Sequence, residues 1–332
     1  MNRYKAVTIC PKAITQRGVG AMVSWRMAES RDRNMSREDA VCQLKEILAE
    51  ADIVIVGAGA GLTASAGFQY KGKRFWKYFR DFAEKYHFRD MYAGSFFHFP
   101  AVEEYWAYWS RYAYISHYMD AQRPVYRELL ELVHDKDYFV IATNVNHAFQ
   151  KAGWDSERLL CLNGDFGLFQ CSRPCSQDTY ENEEIIRRMV VSQGYEIGEA
   201  GALVLPEGRQ LKMFVPPELH PCCPHCGRPM RVNLRMEDDD TFVKDQNRKQ
   251  SEERYHAFLQ EHRERKTLFL ELGVSFRIPA AIKYNFWKMA EEWPDASYAC
   301  VNLRETYAPD EIRHAVCVRG DIGETLRQLK TL

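Results

Sequence analysis

No run in this chain of 332 residues stays apolar for the roughly 18 to 20 positions that a bilayer-spanning helix needs, and the N-terminus lacks the apolar core of a signal peptide. A soluble, cytoplasmic protein is therefore expected. Charge of one sign is missing as well: 45 Lys and Arg stand against 46 Asp and Glu, a net charge of -1. Without a global field, neither nucleic acid nor an anionic membrane is an expected partner. Cysteine is not scarce, at ten residues. In an intracellular chain of this size, clustered cysteines argue for thiols and a metal rather than a disulfide framework. The length suits one large domain with a smaller one attached.

The organising stretch is Ala51 to Gly67, ADIVIVGAGAGLTASAG. Asp52 to Val56 is short and β-branched, as expected of a strand buried on both faces of a parallel sheet. Gly57, Gly59 and Gly61 then make a turn without Cβ atoms, so that backbone N–H groups and a helix N-terminus can approach a pyrophosphate. The bland alternative is a glycine-rich connection that binds nothing.

Residues 1–34 carry more Arg and Lys than acid and no apolar period, which predicts an irregular arm, a targeting peptide or a start assigned too far upstream. Ser36 to Glu50 reads as a helix, with Glu38 and Asp39 in its first turn. Residues 68–125 are unusually aromatic and read as a helical insertion, with Glu103 to Tyr114 as one amphipathic helix. Its aromatics form a module core or a wall over a ligand. Strands are expected at Tyr138–Ala142, Thr267–Leu272, Ser297–Val301 and Ala315–Val318. They alternate with helices, which gives an α/β fold with a Rossmann-like parallel sheet.

Thr143-Asn-Val-Asn-His147, Leu162-Asn-Gly-Asp-Phe-Gly167 and the glycine loop together resemble the sirtuin family, with its GAG, its TQN-[IV]-D and its catalytic HG. Leu270 to Pro279 is similar to the family's GTS loop, Val301-Asn302 to its ribose-holding strand end, and Arg319 to Ile322 to its last adenine-contacting loop. The resemblance implies NAD as cofactor, held by Gly57, Ala58, Gly59, Gly61, Gln69, Tyr70, Asn144, Asn146, Asn163, Gly273, Ser275, Asn302, Asp321 and Ile322. No arginine in these motifs is placed for the 2′-phosphate of NADP.

Where the family keeps its histidine this chain has Asn163. An amide does not titrate near neutrality and takes no proton from a ribose hydroxyl, so ordinary deacylation is not expected. Asn146 replaces the family's aspartate, and Phe68-Gln69-Tyr70 replaces its DFR triplet. With the aromatic insertion and the Cys171-Ser-Arg-Pro-Cys175 spacing, these departures resemble the macrodomain-linked class M sirtuins. That resemblance implies protein ADP-ribosylation, a lipoylated glycine-cleavage H-like carrier as protein substrate, and a macrodomain partner. Asn144 and Asn163 are the candidate catalytic residues, able to hold ribose hydroxyls and a carboxamide in register without proton transfer; helix or turn capping is the alternative for both. His147 reads as a surface or helix-cap residue rather than a substitute base. A deacylase and a silent NAD-binding sensor are the other two functional readings.

Cys171 and Cys175, with Cys223 and Cys226, have zinc-ribbon character, each pair offering two thiolates to one tetrahedral ion. The 47 residues between the pairs exceed the roughly 15 to 20 of a compact ribbon. Cys222, His220 and His225 are rival ligands. The expected division is an arm over 1–34, the NAD-binding domain over 35–170 and 236–332, and a small domain over 171–235 holding one structural zinc.

Overall fold

In the computed structural model, which describes residues 35–236 and 240–331, Ser36 opens the first helix, α1 (Arg37–Glu50). Its hydroxyl accepts the Asp39 N–H at 3.0 Å, satisfying a donor that the first turn leaves free. The expected arm over residues 1–34 lies outside the described residues. Next come β1 (Ile53–Ala58), α2 (Ala60–Ser65), α3 (Lys73–Tyr86), α4 (Met91–Ser95) and α5 (Val102–Ala113). A π-helical turn at Tyr114–Tyr118 ends α5. The chain then runs through α6 (Val125–Val133), β2 (Asp137–Ala142), α7 (Ala148–Lys151), β3 (Leu159–Cys161), β4 (Gly164–Cys171), β5 (Tyr180–Glu181) and α8 (Glu183–Ser192). Short strands β6 (Glu196–Ile197) and β7 (Leu203–Val204) precede β8 (Met230–Leu234), and α9 (Gln246–Glu261) leads back to the large sheet. The chain closes with β9 (Thr267–Leu272), α10 (Lys283–Glu292), β10 (Ala296–Asn302), β11 (Ala315–Arg319) and α11 (Ile322–Thr331).

Six strands form the main sheet in the order β11-β10-β9-β1-β2-β3, all parallel. β1 and β9 are buried at every position, as strands covered by helices on both faces must be. The strand order reverses between β1 and β9, the place where open α/β sheets bind ligands beyond their strand carboxyl ends. No helix among the described residues is long and apolar enough to cross a membrane.

Apart from Phe68 and Val125 at its ends, which join the sheet's core, the aromatic insertion packs away from this sheet. Phe75, Phe79, Phe82, Trp106 and Tyr108 share one core with Phe169 and Cys171 of β4, Met189 of α8 and Cys223. The rings are largely a module core, the bland reading of their abundance, although Trp76, Phe96 and Phe97 remain exposed. Arg111, fully buried, ties this body together: its guanidinium reaches Asp81 through two 2.8 Å contacts, Gln193 at 2.6 Å, and the carbonyls of Tyr78 and Lys212 at 3.0 and 3.1 Å.

Candidate functional site at the carboxyl edge of the sheet

Each of the six parallel strands delivers an expected site residue at or just beyond its carboxyl end: Gly59 after β1, Asn144 after β2, Asn163 after β3, Gly273 after β9, Asn302 on β10 and Asp321 after β11. The glycines have a reason of their own. A Cβ on Gly59 would lie 2.6 Å from the Gly273 carbonyl oxygen, and one on Gly61 would lie 2.6 Å from the Gly273 Cα. A Cβ on Gly57 would enter Ile282 and Phe286 of the α10 region. The two loops are also joined by hydrogen bonds, Gly59 N–H to the Leu272 carbonyl at 3.0 Å and Gly61 N–H to the Gly273 carbonyl at 2.9 Å. Those two N–H groups are therefore engaged within the protein, and the expectation that the row offers them to a pyrophosphate needs that adjustment.

The Tyr126 hydroxyl is the hub of the asparagine cluster. It lies 3.0 Å from Thr63 Oγ1 and accepts Asn144 Nδ2 at 3.1 Å. Burial raises its pKa, against the hydrogen bonds with Thr63 and Asn144. Asn144 and Asn146 are themselves buried, yet Asn144 Oδ1 and Asn146 Nδ2 have no hydrogen-bond partner. A buried polar atom without a partner costs about 1–3 kcal/mol, so an acceptor and a donor stand ready for a polar ligand. Asn163 is half-buried and donates Nδ2 to the Thr143 carbonyl at 3.3 Å, which joins the ends of β2 and β3.

The other expected cofactor residues differ in what holds them. Ser275 Oγ accepts the Arg277 N–H at 3.3 Å. Asn302 Nδ2 donates to the Val274 carbonyl at 3.2 Å, bracing the loop after β9. Asp321 pairs with Arg123 at 2.7 Å and accepts from Ser65 at 3.0 Å; the Ile322 side chain belongs to the core. Ala58 is buried in β1, and Gln69 is exposed. Tyr70 lies edge-on to Tyr112 at 6.4 Å, and burial pushes its hydroxyl up to about 12.

A cluster of two histidines and an aspartate lies beside these residues. His147 caps α7 with left-handed backbone, φ 58°, and its Nδ1 lies 2.8 Å from Asp165 Oδ2. His117, from the π-helical turn, puts Nδ1 2.8 Å from Asp165 Oδ1. Burial alone would raise the Asp165 pKa, but the two imidazoles outweigh it and hold the carboxyl at about 2. Asp165 lies two residues past Asn163 and His147 one past Asn146, the only local signal available; nothing in the sequence ties His117 to either.

The four expected cysteines converge. Cys171 and Cys226 place their sulfurs 3.7 Å apart, Cys175 and Cys223 3.5 Å apart, and all four lie within 4.8 Å of one another. Sulfurs at the corners of a tetrahedron with bonds of about 2.3 Å stand about 3.8 Å apart, so the group is consistent with a structural zinc. Backbone N–H groups of Cys226 and His225 overcome burial and lower the Cys223 pKa, favouring thiolate. The rivals are turned elsewhere: Cys222 faces the His220 carbonyl, His220 bonds the Val215 carbonyl at 2.9 Å and His225 pairs with Asp178 at 3.0 Å.

No protein-family model matches the chain. It is 35% identical over 270 residues to a protein ADP-ribosyltransferase of Staphylococcus aureus, spanning 81% of this chain and 80% of that one. It is 25% identical over 296 residues to a probable bifunctional ADP-ribose hydrolase/ADP-ribosyltransferase of Fusarium oxysporum, spanning 85% of this chain and 46% of that one. Among solved structures, one described as bearing on the mechanism and regulation of Sir2 enzymes superposes with a TM-score of 0.52 at 19% identity, covering 89% of this chain and 99% of the other. A Sir2 structure with a deacetylated p53 peptide and 3'-O-acetyl ADP ribose gives 0.51 at 18% identity, covering 88% and 97%. The latter two share the fold, and the staphylococcal relative matches along four-fifths of both chains; this chain belongs to the sirtuin family together with that protein ADP-ribosyltransferase.

Proposed function

We propose that this protein is an NAD-dependent protein ADP-ribosyltransferase. The observation that carries the reading is the orphaned pair of amide atoms, Asn144 Oδ1 and Asn146 Nδ2, buried around the Tyr126 hydroxyl at the strand ends. A donor and an acceptor without partners fit a carboxamide or ribose hydroxyls, and neither group removes a proton. NAD supplies the ADP-ribosyl group and a nicotinamide that departs. The glycine loop, Ser275 and Asn302 are assigned to holding NAD, and Asn144 and Asn163 to orienting its nicotinamide ribose. With Asn163 where deacylating relatives keep histidine, this position cannot serve as the general base. An acceptor that is already anionic makes that loss tolerable. We assign a protein acceptor, a lipoylated glycine-cleavage H-like carrier, with a macrodomain protein as functional partner and a cytoplasmic setting. The name and extent of the staphylococcal relative support the activity; the acceptor rests on the class M resemblance.

The test is a paired assay, labelled NAD with a lipoylated carrier in one tube and with an acetylated peptide in the other. Wild type labels the carrier and releases nicotinamide. Asn163→Ala leaves NAD binding nearly intact and lowers transfer about 10²-fold or more, as expected when an oriented polar contact acts mainly in the transition state. Asn163→His does not produce efficient deacylation, because Asn146 and Phe68-Gln69-Tyr70 also depart from the deacylase pattern. Ordinary peptide turnover by wild type without carrier labelling would refute the reading. A melting temperature raised by NAD with neither reaction would point to a sensor.

A further inference from the structure

We propose that His117, His147 and Asp165 form a second metal site, distinct from the four cysteines, for a divalent first-row transition ion held by two imidazoles and one carboxylate. The inference does not rest on the transferase reading. The three side chains bring one ligand atom each within 4.8 Å of the others, although residues 117, 147 and 165 come from separate elements. Two imidazoles and a carboxylate form a donor set used by zinc and by non-haem iron, and three protein ligands leave positions open for water or substrate.

The His117 contact is the decisive detail. Its Nδ1 is 2.8 Å from Asp165 Oδ1, an ion-pair contact in which this buried nitrogen makes no directed hydrogen bond, while Oδ1 also takes the Gly167 N–H at 2.7 Å. Close approach without a directed hydrogen bond is the geometry of two ligands on one ion. Two bonds of about 2.1 Å at a right angle put their donor atoms about 3 Å apart. A cation there would also satisfy the unpartnered nitrogen, which otherwise carries a desolvation cost.

The backbone is irregular wherever it supplies this trio. His117 sits in the π-helical turn Tyr114–Tyr118, a distortion common at functional sites. His147 occupies the left-handed region, φ 58°, which a side-chain-bearing residue adopts at a cost. Gly167 leaves room for the imidazole, since a Cβ there would lie 2.4 Å from His117 Cε1. Access exists: a cleft of about 440 Å³ is lined by His147, Gly164 and Asp165. The competing account is an ion-paired trio that only fastens three elements. It explains both 2.8 Å approaches to Asp165 as ion pairs but leaves the buried His117 Nδ1 without a directed hydrogen bond. On binding, the proton of the His147 to Asp165 bond leaves to solvent, because a ligating imidazole nitrogen must be deprotonated.

The experiment starts from full-length protein carrying one zinc on the cysteines and titrates Co²⁺ by calorimetry and absorption. Wild type takes up a second equivalent, with ligand-field bands and no new thiolate charge-transfer band. His117→Ala, Asp165→Asn and His147→Gly each weaken that uptake at least tenfold, while the cysteine-bound zinc stays. Glycine is used at position 147 because it accepts the left-handed backbone without strain. Wild type that binds no second equivalent, or a second equivalent undiminished in all three variants, overturns the proposal.

Discussion

Removing the Arg111 guanidinium should be among the most destabilising single changes outside the sheet. The side chain is fully buried and Asp81 is 21% exposed. All five guanidinium N–H donors have acceptors: Nε reaches Gln193, one terminal nitrogen reaches Tyr78 and Asp81, and the other reaches Asp81 and Lys212. Arg111→Leu leaves the Asp81 carboxylate without its cation and two further acceptors, Gln193 Oε1 and the Lys212 carbonyl, without donors, while the Tyr78 carbonyl keeps the Tyr195 hydroxyl at 3.4 Å. Breaking a buried pair on one side costs about 3–5 kcal/mol. Partial exposure of Asp81 lets water recover some of that, so about 3 kcal/mol is expected, a drop in Tm of about 4 °C for a chain of this length. Arg111→Lys should still cost about 2 kcal/mol, because one ammonium with three donors cannot replace a planar fork with five. Urea unfolding followed by tryptophan fluorescence suits the measurement, since Trp106 and Trp109 lie in the same core. Adding Asp81→Leu to Arg111→Leu should regain part of the loss, as paired apolar replacement removes the orphaned charge. An Arg111→Lys protein within about 0.5 kcal/mol of wild type would refute the fork argument.

Cys223→Ser should lose its metal by elemental analysis and also weaken the near-ultraviolet dichroism of the aromatic helices, because Cys223 shares their core and ligand loss removes folding free energy. Gly59→Ala should destabilise the NAD-free protein by about 1–3 kcal/mol, since its Cβ would meet backbone 2.6 Å away; an unchanged unfolding midpoint would count against the loop contact. Asp321 provides a pH test. Burial raises its pKa, but Arg123, the Glu324 N–H and Ser65 bring the value below the usual 3.8. A depressed folded pKa gives stability that is complete above the unfolded pKa and lost as pH falls through the folded one. The Tm gap between wild type and Asp321→Asn should therefore narrow from about pH 5 to about pH 3; a gap that widens would contradict the assignment.

The parallel sheet was legible because β1, β9 and β10 are short apolar runs whose burial on both faces leaves no alternation to misread. β4 was not, since Gly164-Asp-Phe-Gly167 mixes polar and glycine residues in a strand whose first two positions are only half-buried. The short spacing within each cysteine pair carries the metal group, since each pair offers two thiolates to one ion despite the long interval between pairs. For glycines 57, 59 and 61, a missing Cβ in the sequence shows that something approaches but not what; the nearest neighbours in the fold include Ile282, Phe286, Gly273 and Val274. For the trio of His117, His147 and Asp165, the only local cue is that His147 and Asp165 lie beside Asn146 and Asn163, and nothing marks His117. The three meet only through the π-helical turn and the loops after β2 and β3, a long-range juxtaposition that no periodicity encodes.

The contact between the glycine loop and the loop after β9 bears on how fast and at what entropic cost a nucleotide can dock. Because Gly59 and Gly61 already donate to Leu272 and Gly273, both loops hold their shape before any ligand arrives. Binding at a preorganised wall sacrifices little chain entropy. The Gly59 and Gly61 amides should exchange slowly with deuterated water in the free protein, protected by contacts that do not wait for the nucleotide.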